Sequence, residues 1–186
     1  MDDGQIIELF NQRDESAIVQ TDIKYGKYCY VIANNILSDH QISEECVNDT
    51  YLKAWNSIPP QKPASLKLFL AEITRNLSIN RYKERKRQKR GGGEFAIALE
   101  EIDEIIAGTK NIDDEIAEKE LISSINVFLR SLSQQHSNIF IKRYFYFYTT
   151  KKIASMYGIT EGNVLMILSR TRQKLKKHLE KEGYTI

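Results

Sequence analysis

Three consecutive glycines, Gly91-Gly92-Gly93, lie almost at the midpoint of the 186 residues and divide the chain into two segments patterned for helices. A run of glycine opposes regular structure because each loses more backbone freedom on ordering than any other residue. All three prolines, Pro59, Pro60 and Pro63, lie in the first segment. On both sides apolar residues recur at helical spacing, while the alternation expected of strands is nearly absent.

In the first segment the pattern predicts a short helix over 3–11 carrying Ile6, Ile7, Leu9 and Phe10. A long helix over 15–37 follows, carrying Ile18, Ile23, Tyr25, Tyr28, Val31, Ile32 and Ile36. Ser43 is the predicted N-cap of a third, which places Glu44 and Glu45 in the first turn, where the helix dipole favours anions. That helix holds Cys46, Val47, Tyr51, Leu52, Ala54 and Trp55 and should stop near Ser57, ahead of the prolines. A fourth is predicted from Ser65 with Leu66, Phe69, Leu70, Ile73, Leu77 and Ile79, ended by the glycines. In the second segment, from about Asp113, Ile116, Leu121, Ile125, Phe128, Leu129 and Leu132 share one face. After a break at Ser133 come a helix through Ile139–Phe145, another over Thr149–Tyr157, a turn at Gly158, and a last helix from Thr160 to Glu182. The expected fold is all-α: two small helical domains, 1–90 and 113–186, joined by a flexible linker over 91–112. Phe95, Ile97, Leu99, Ile102, Ile105 and Ile106 leave room for a short docked helix within that linker.

Hydrophobic content of 41% and charged content of 28% fit a folded domain and exclude a disordered chain. No uncharged apolar run approaches the ~18 residues of a membrane span. The acidic start Met1-Asp2-Asp3 does not resemble a secretory signal, so a cytoplasmic location is expected. Cys29 and Cys46 sit among apolar neighbours and read as buried free thiols. His40, His136 and His178 stand far apart, no Cys/His set has metal-ligand spacing, and no glycine-rich phosphate loop follows a strand. No enzyme activity, cofactor, metal or small-molecule substrate is expected.

The net charge of +2 conceals a segregated distribution. From Arg81 to Arg90 seven basic residues face one acid, Glu84; from Glu94 to Glu120 ten acids face two lysines; from Arg170 to Lys181 six basic residues face Glu180. Two basic stretches suited to a polyanion flank an acidic one.

Three motifs use this pattern. In Thr150–Leu168, Ala154 lies four residues after Thr150, Gly158 four later and Val164 six beyond that. Two helices crossing steeply need a small residue at the contact, here Ala154, and their tight turn needs positive φ, which glycine supplies. Ile153, Val164 and Ile167 are expected to fill the wedge. Thr160 would cap the second helix and leave Glu161 and Asn163 exposed at the end that enters a DNA groove, with Arg170, Arg172, Lys174, Lys176 and Lys177 placed for phosphates. The second motif is 68–90, apolar first and basic last, with Asn76 and Asn80 between and Tyr82 among the cations. Such a helix can pack with one half and meet DNA with the other, or be a solvated charged face. The third is the polar face of Glu45, Asn48 and Asp49, placed together by helical spacing. It does not attract DNA; it suits a basic protein surface or plain solvent.

In this order the motifs resemble the extracytoplasmic-function group of bacterial sigma factors over most of the chain. "ISEECVNDTYLKAWNSI" resembles the region-two helix that docks on the polymerase clamp, and "LKLFLAEITRNLSINRYKERKR" the helix that melts the promoter and recognises the minus-ten element. "KKIASMYGITEGNVLMILSRTRQKLKKHLEKEGY" resembles region four, which reads the minus-thirty-five element, and "IIELFNQRDESAIVQTDIKYGKYCYVIANNIL" the opening helices. The resemblance implies a non-catalytic protein whose partners are core RNA polymerase, promoter DNA and an anti-sigma factor. It implies polymerase contacts at Glu45, Asn48, Asp49 and Leu52, and a loop over 57–65 that holds a flipped minus-ten base. Asn76, Asn80, Arg81, Lys83 and Arg85 would line the promoter path. Thr160, Glu161, Asn163, Ile167, Arg170 and Arg172 would face the minus-thirty-five groove.

The chain departs from the group in three places that bear on promoter sequence. Lys152 stands where an acid often precedes the Ile-Ala pair, Leu165 where a base often follows Val164, and Asn80 where an acid is common. A stand-alone helix-turn-helix regulator and a helical adaptor that binds no DNA are the competing classes; polymerase binding separates the first, sequence-specific DNA binding the second.

Overall fold

The computed structural model describes residues 1–88, 94–106 and 115–184. Nine helices and no strand occur among them, in two compact units, Met1–Gly91 and Gly92–Ile186. The all-helical expectation holds.

The first unit contains α1 (Asp3–Asn11), α2 (Ser16–Leu37), α3 (His40–Ser57) and α4 (Leu66–Gln88). Asp2 and Gln5 close a reciprocal capping box on α1 at 2.8 and 3.1 Å, satisfying two backbone donors that a helix start leaves free. Ser38 takes a left-handed conformation and stops α2. One residue on, Asp39 caps α3, accepting from the Ile42 amide at 3.2 Å. This corrects the expectation that Ser43 is the cap. Ser43 lies buried one turn inside the helix with its hydroxyl on the Asp39 carbonyl. A carboxylate next to a left-handed stop outcompetes a serine whose local sequence already continues as helix.

Ile6, Phe10, Tyr25, Cys29, Val47, Tyr51, Ile58, Leu66 and Leu70 form one buried cluster across all four helices. Where α3 crosses α4 the seam is small and polar. The Thr50 hydroxyl reaches that of Thr74 at 3.1 Å, and Cys46 Sγ lies 3.2 Å from the Ser78 hydroxyl. Thr50, Thr74 and Ser78 also donate to carbonyls one turn back, so burial leaves no hydroxyl among them unsatisfied. Cys29 and Cys46 are buried free thiols, as expected, and burial pushes the Cys29 thiol up to about 11. Ile58, fully buried, anchors the proline loop at its first residue, while Gln61 and Lys62 are exposed.

The second unit contains α5 (Glu94–Ile106), α6 (Glu115–Ser131), α7 (Gln134–Tyr144), α8 (Thr150–Tyr157) and α9 (Glu161–Lys181). α9 is the central element; each of the other four helices packs against it. Its buried face is Val164, Leu168, Thr171, Leu175 and Leu179, a spacing of four and three that keeps one stripe inward along the whole helix. α5 falls within the expected linker, 91–112, and docks on α7 and α9 through buried Phe95, Ala98 and Ile105, with Phe95 edge-on to Phe147 at 4.7 Å. The glycines 91–93 and residues 107–112 lie outside the described residues.

Candidate nucleic-acid interfaces

In the second unit, Thr149 caps α8 and Gly158 ends it at φ +63°, ψ +32°. The Gly158 and Ile159 amides both return to the Ala154 carbonyl, closing the turn, and Thr160 caps α9 by accepting from the Asn163 amide at 3.2 Å. Only glycine takes that φ without a steric cost. Ala154 and Ile153 are buried at the crossing, as the spacing requires. The wedge residue on α9, however, is Leu168, which is almost fully buried, and not Ile167, which is half-buried. Leu168 is four residues from Val164 and so stays on its face; Ile167 is turned toward the edge.

The structure separates the six positions assigned to this helix. Thr160 is used as a cap. Glu161 accepts from the Thr150 hydroxyl and ties the first turns of α8 and α9 together. Asn163 and Arg170 are exposed, and Ile167 is at the margin. Arg172 points back into its own domain, where it donates to the Tyr144 hydroxyl and lies 3.2 Å from Glu101 on α5. Two residues apart on a helix are turned by about 200°, so Arg170 and Arg172 cannot share a face. Sequence reasoning missed two neighbours that do share it with Arg170, Met166 and Gln173, both exposed at spacings of four and three; Lys177, expected to meet phosphates, lies on the same face seven residues on. Counting in register from Val164 and Leu168 would have found them.

Arg172 belongs to a network that holds α5 in place. Arg143, 2% exposed, donates to Glu94 at 2.8 Å and to the Tyr148 carbonyl at 3.3 Å. Its Nε is 3.7 Å from Glu101, close enough for charge attraction but too long for a hydrogen bond, so that N–H has no hydrogen-bond partner. Tyr144 donates to Glu101 at 2.9 Å. Two carboxylates of α5 thus neutralise two arginines.

In the first unit, Glu45, Asn48, Asp49 and Leu52 lie on one outward face of α3, at spacings of three, four and seven. Leu52 is 58% exposed. On α4, Asn76, Asn80 and Lys83 form an exposed stripe at the same spacings. Arg81 and Arg85 lie off that stripe, against the first half of α3. Arg81 pairs with Asp49 and, at 3.2 Å, with Glu45; Arg85 pairs with Asp39 at 3.3 Å. Burial would lower the Arg81 pKa, but the Asp49 and Glu45 carboxylates outweigh it and raise it. The five α4 positions expected on one promoter path therefore divide into three that face solvent and two held by α3.

Residues 24–88 match the model of sigma-70 region 2, and residues 128–177 match that of sigma-70 region 4. The chain belongs to the sigma-70 family. The first match runs from within α2 to the end of α4, and the second from α6 through most of α9, so the helix-turn-helix of α8 and α9 is the core of region four. The sigma factor acts in promoter recognition at transcription initiation. α5 lies outside both matches. No curated protein matches the chain. Among the described residues, no cluster of His, Cys, Asp or Glu is arranged to hold a metal, and no helix is long and apolar enough to cross a membrane.

Proposed function

We propose that this sigma factor, of the extracytoplasmic-function group, docks on core RNA polymerase through the outward face of α3 and reads promoter DNA with α4 and α9. The carrying observation is Leu52. A large apolar side chain is 58% exposed beside Asn48, Glu45 and Asp49 on a single helix face. An apolar centre with a charged rim is the composition of a protein-docking patch, and it is unsuited to DNA. Asn76, Asn80 and Lys83 line the promoter path on α4, and the loop 57–65, which leads into that helix, is the pocket for an unpaired base. Asn163 at the start of α9 reads base edges in the minus-thirty-five groove, and Arg170 and Lys177 hold the backbone. Two sites of modest affinity become one strong attachment when both are carried on the same large enzyme. The protein works where polymerase and chromosome are, in the cytoplasm, makes and breaks no bonds, and is held in check by an anti-sigma partner; the resemblance to the group supports these readings.

The test is retention of the full chain by immobilised core polymerase, with and without Leu52→Glu. Leu52 takes part in no ion pair, so the change leaves the Arg81–Asp49 clasp intact, which Asp49→Lys would not. Retention of the wild type and its loss in the variant is the expected result. A wild type that core polymerase does not retain would sink the docking proposal and favour a stand-alone regulator.

A further inference from the structure

Leu165 and Met166 are large apolar side chains that the fold does not use. They stand in the first half of α9, 49% and 42% exposed. Measured from Val164 on the buried stripe, Met166 is turned by about 200° and Leu165 by about 100°, so neither shares the core face of Val164 and Leu168. Their surroundings are polar: Asn163 lies three residues before Met166 and Arg170 four after, both exposed. Gly162, three residues before Leu165 and four before Met166, is equally unexplained from within the molecule. It is helical and exposed, a Cβ added there would meet nothing within 4 Å, and alanine would make a better helix. Bare backbone that neither packing nor φ calls for leaves room for something outside the molecule to come close.

Base edges in a major groove are almost wholly polar. The one apolar group they present is the 5-methyl of thymine; the rest are hydrogen-bond donors and acceptors. An apolar side chain pressed on those would strip them of water and return no bond. With α9 as the DNA-reading helix, on which this rests, we propose that Leu165 and Met166 are thymine readers, seated against 5-methyl groups in the groove that the helix enters. Gly162 permits the close approach that brings them to the base edges. Continuity with Asn163 and Arg170 specifies DNA as the occupant, and a patch of two side chains is far smaller than the roughly 20 residues a side of a protein interface. Methyl contacts release no counterions, so this part of the specificity is independent of salt.

The full chain is used to enrich duplexes from a random-sequence library. Its affinity for the enriched duplex is then compared, at low and high salt, with that for the same duplex carrying uracil in place of thymine. Uracil lacks only the methyl and keeps every pairing group. The wild type should lose about fourfold in affinity for each methyl it covers, by the same factor at both salt concentrations. Leu165→Ala/Met166→Ala should bind the two duplexes alike with an unchanged melting temperature, because both side chains stand in solvent. Arg170→Ala should weaken both duplexes and keep the difference between them. An enriched element without thymine, or a wild type indifferent to uracil, refutes the thymine readers; the reading of α9 survives if Asn163→Ala shifts the selected sequence. A uracil effect that persists in the double variant assigns the methyls to other side chains and refutes the pair. A double variant that discriminates like the wild type but is no longer retained by core polymerase identifies a protein contact instead. Enrichment of no sequence by the wild type overturns the reading of α9 itself, and the thymine readers with it.

Discussion

Glu101→Gln should weaken the second unit and leave the first untouched. The carboxylate is 19% exposed, lies 3.2 Å from Arg172 and 3.7 Å from Arg143, and accepts from Tyr144 at 2.9 Å. At an effective dielectric of about 20, each of those attractions is about 5 kcal/mol gross. Most of it is cancelled, because the buried carboxylate no longer has to be desolvated, water reaches the partly exposed Arg172, and Glu94 still neutralises Arg143 at 2.8 Å. A net loss of about 2 kcal/mol remains, which for a domain of this size lowers the melting temperature by about 10 °C. The assay has a built-in control. Trp55 is the sole tryptophan and lies in the first unit, so its fluorescence reports that unit alone, whereas far-ultraviolet dichroism reports every helix. The expected result is a dichroism transition shifted down by about 10 °C for the second unit, with the Trp55 transition unmoved. Glutamine at 101 melting like the wild type would refute the role given to the network, and an equal shift at Trp55 would refute its confinement to the second unit.

Two further outcomes follow from contacts in the first unit. A Cβ on Gly26 would lie 2.4 Å from the Asp22 carboxylate, which accepts from the Tyr51 hydroxyl at 2.8 Å. Gly26→Ala should therefore destabilise the unit by about 1 kcal/mol net, the loss of that charge-assisted bond outweighing the helix preference for alanine, yet stabilise it in an Asp22→Ala background, where the bond is already gone and the Tyr51 hydroxyl, 3.1 Å from the added Cβ, need shift only slightly; urea titrations of the three variants that show no reversal of sign would refute this. Asp3 is also pH-sensing: burial pushes its pKa up, but the hydrogen bonds from Lys24 and Tyr25, at 2.6 Å each, outweigh burial and hold it below the usual 3.8. A depressed carboxylate stabilises the fold above its unfolded pKa, and that contribution disappears as pH falls from about 4 through the folded value, so Trp55-monitored stability should lose part of its acid dependence in Asp3→Asn.

Much of the fold was readable because helix periodicity and capping are local. The turn Ala154–Gly158–Thr160 and the inward face of Val164 follow from spacing alone. The start of α3 was misplaced because Ser43 and Asp39 both look like caps, and the choice was made by Ser38 ending the preceding helix, a backbone event with no side-chain signature. On α9 the charged residues were chosen by charge when register should have chosen them. Arg170 and Arg172 are equally basic, but only the first lies opposite the buried stripe. The pairing of Arg81 with Asp49 was not legible, since it joins residues 32 apart through the crossing of α3 and α4.

That pairing bears on which charges can act. A cation already seated on a carboxylate gains little from a phosphate, since one anion is exchanged for another and a buried or half-buried acid is left unpaired. A cation in solvent gains the full release of counterions when it meets DNA. By this criterion Arg81, Arg85, Arg143 and Arg172 are structural charges, held by Glu45 and Asp49, Asp39, Glu94, and Glu101. Lys83 on α4, Lys151 and Lys152 on α8, and Arg170 and Lys177 on α9 remain in solvent. Among the described side chains, the basic residues are therefore sorted by the acids that fold against them. In the proposed reading, Lys83 on α4 and Arg170 and Lys177 on α9 are the solvent-facing cations that stand where those helices would meet the promoter.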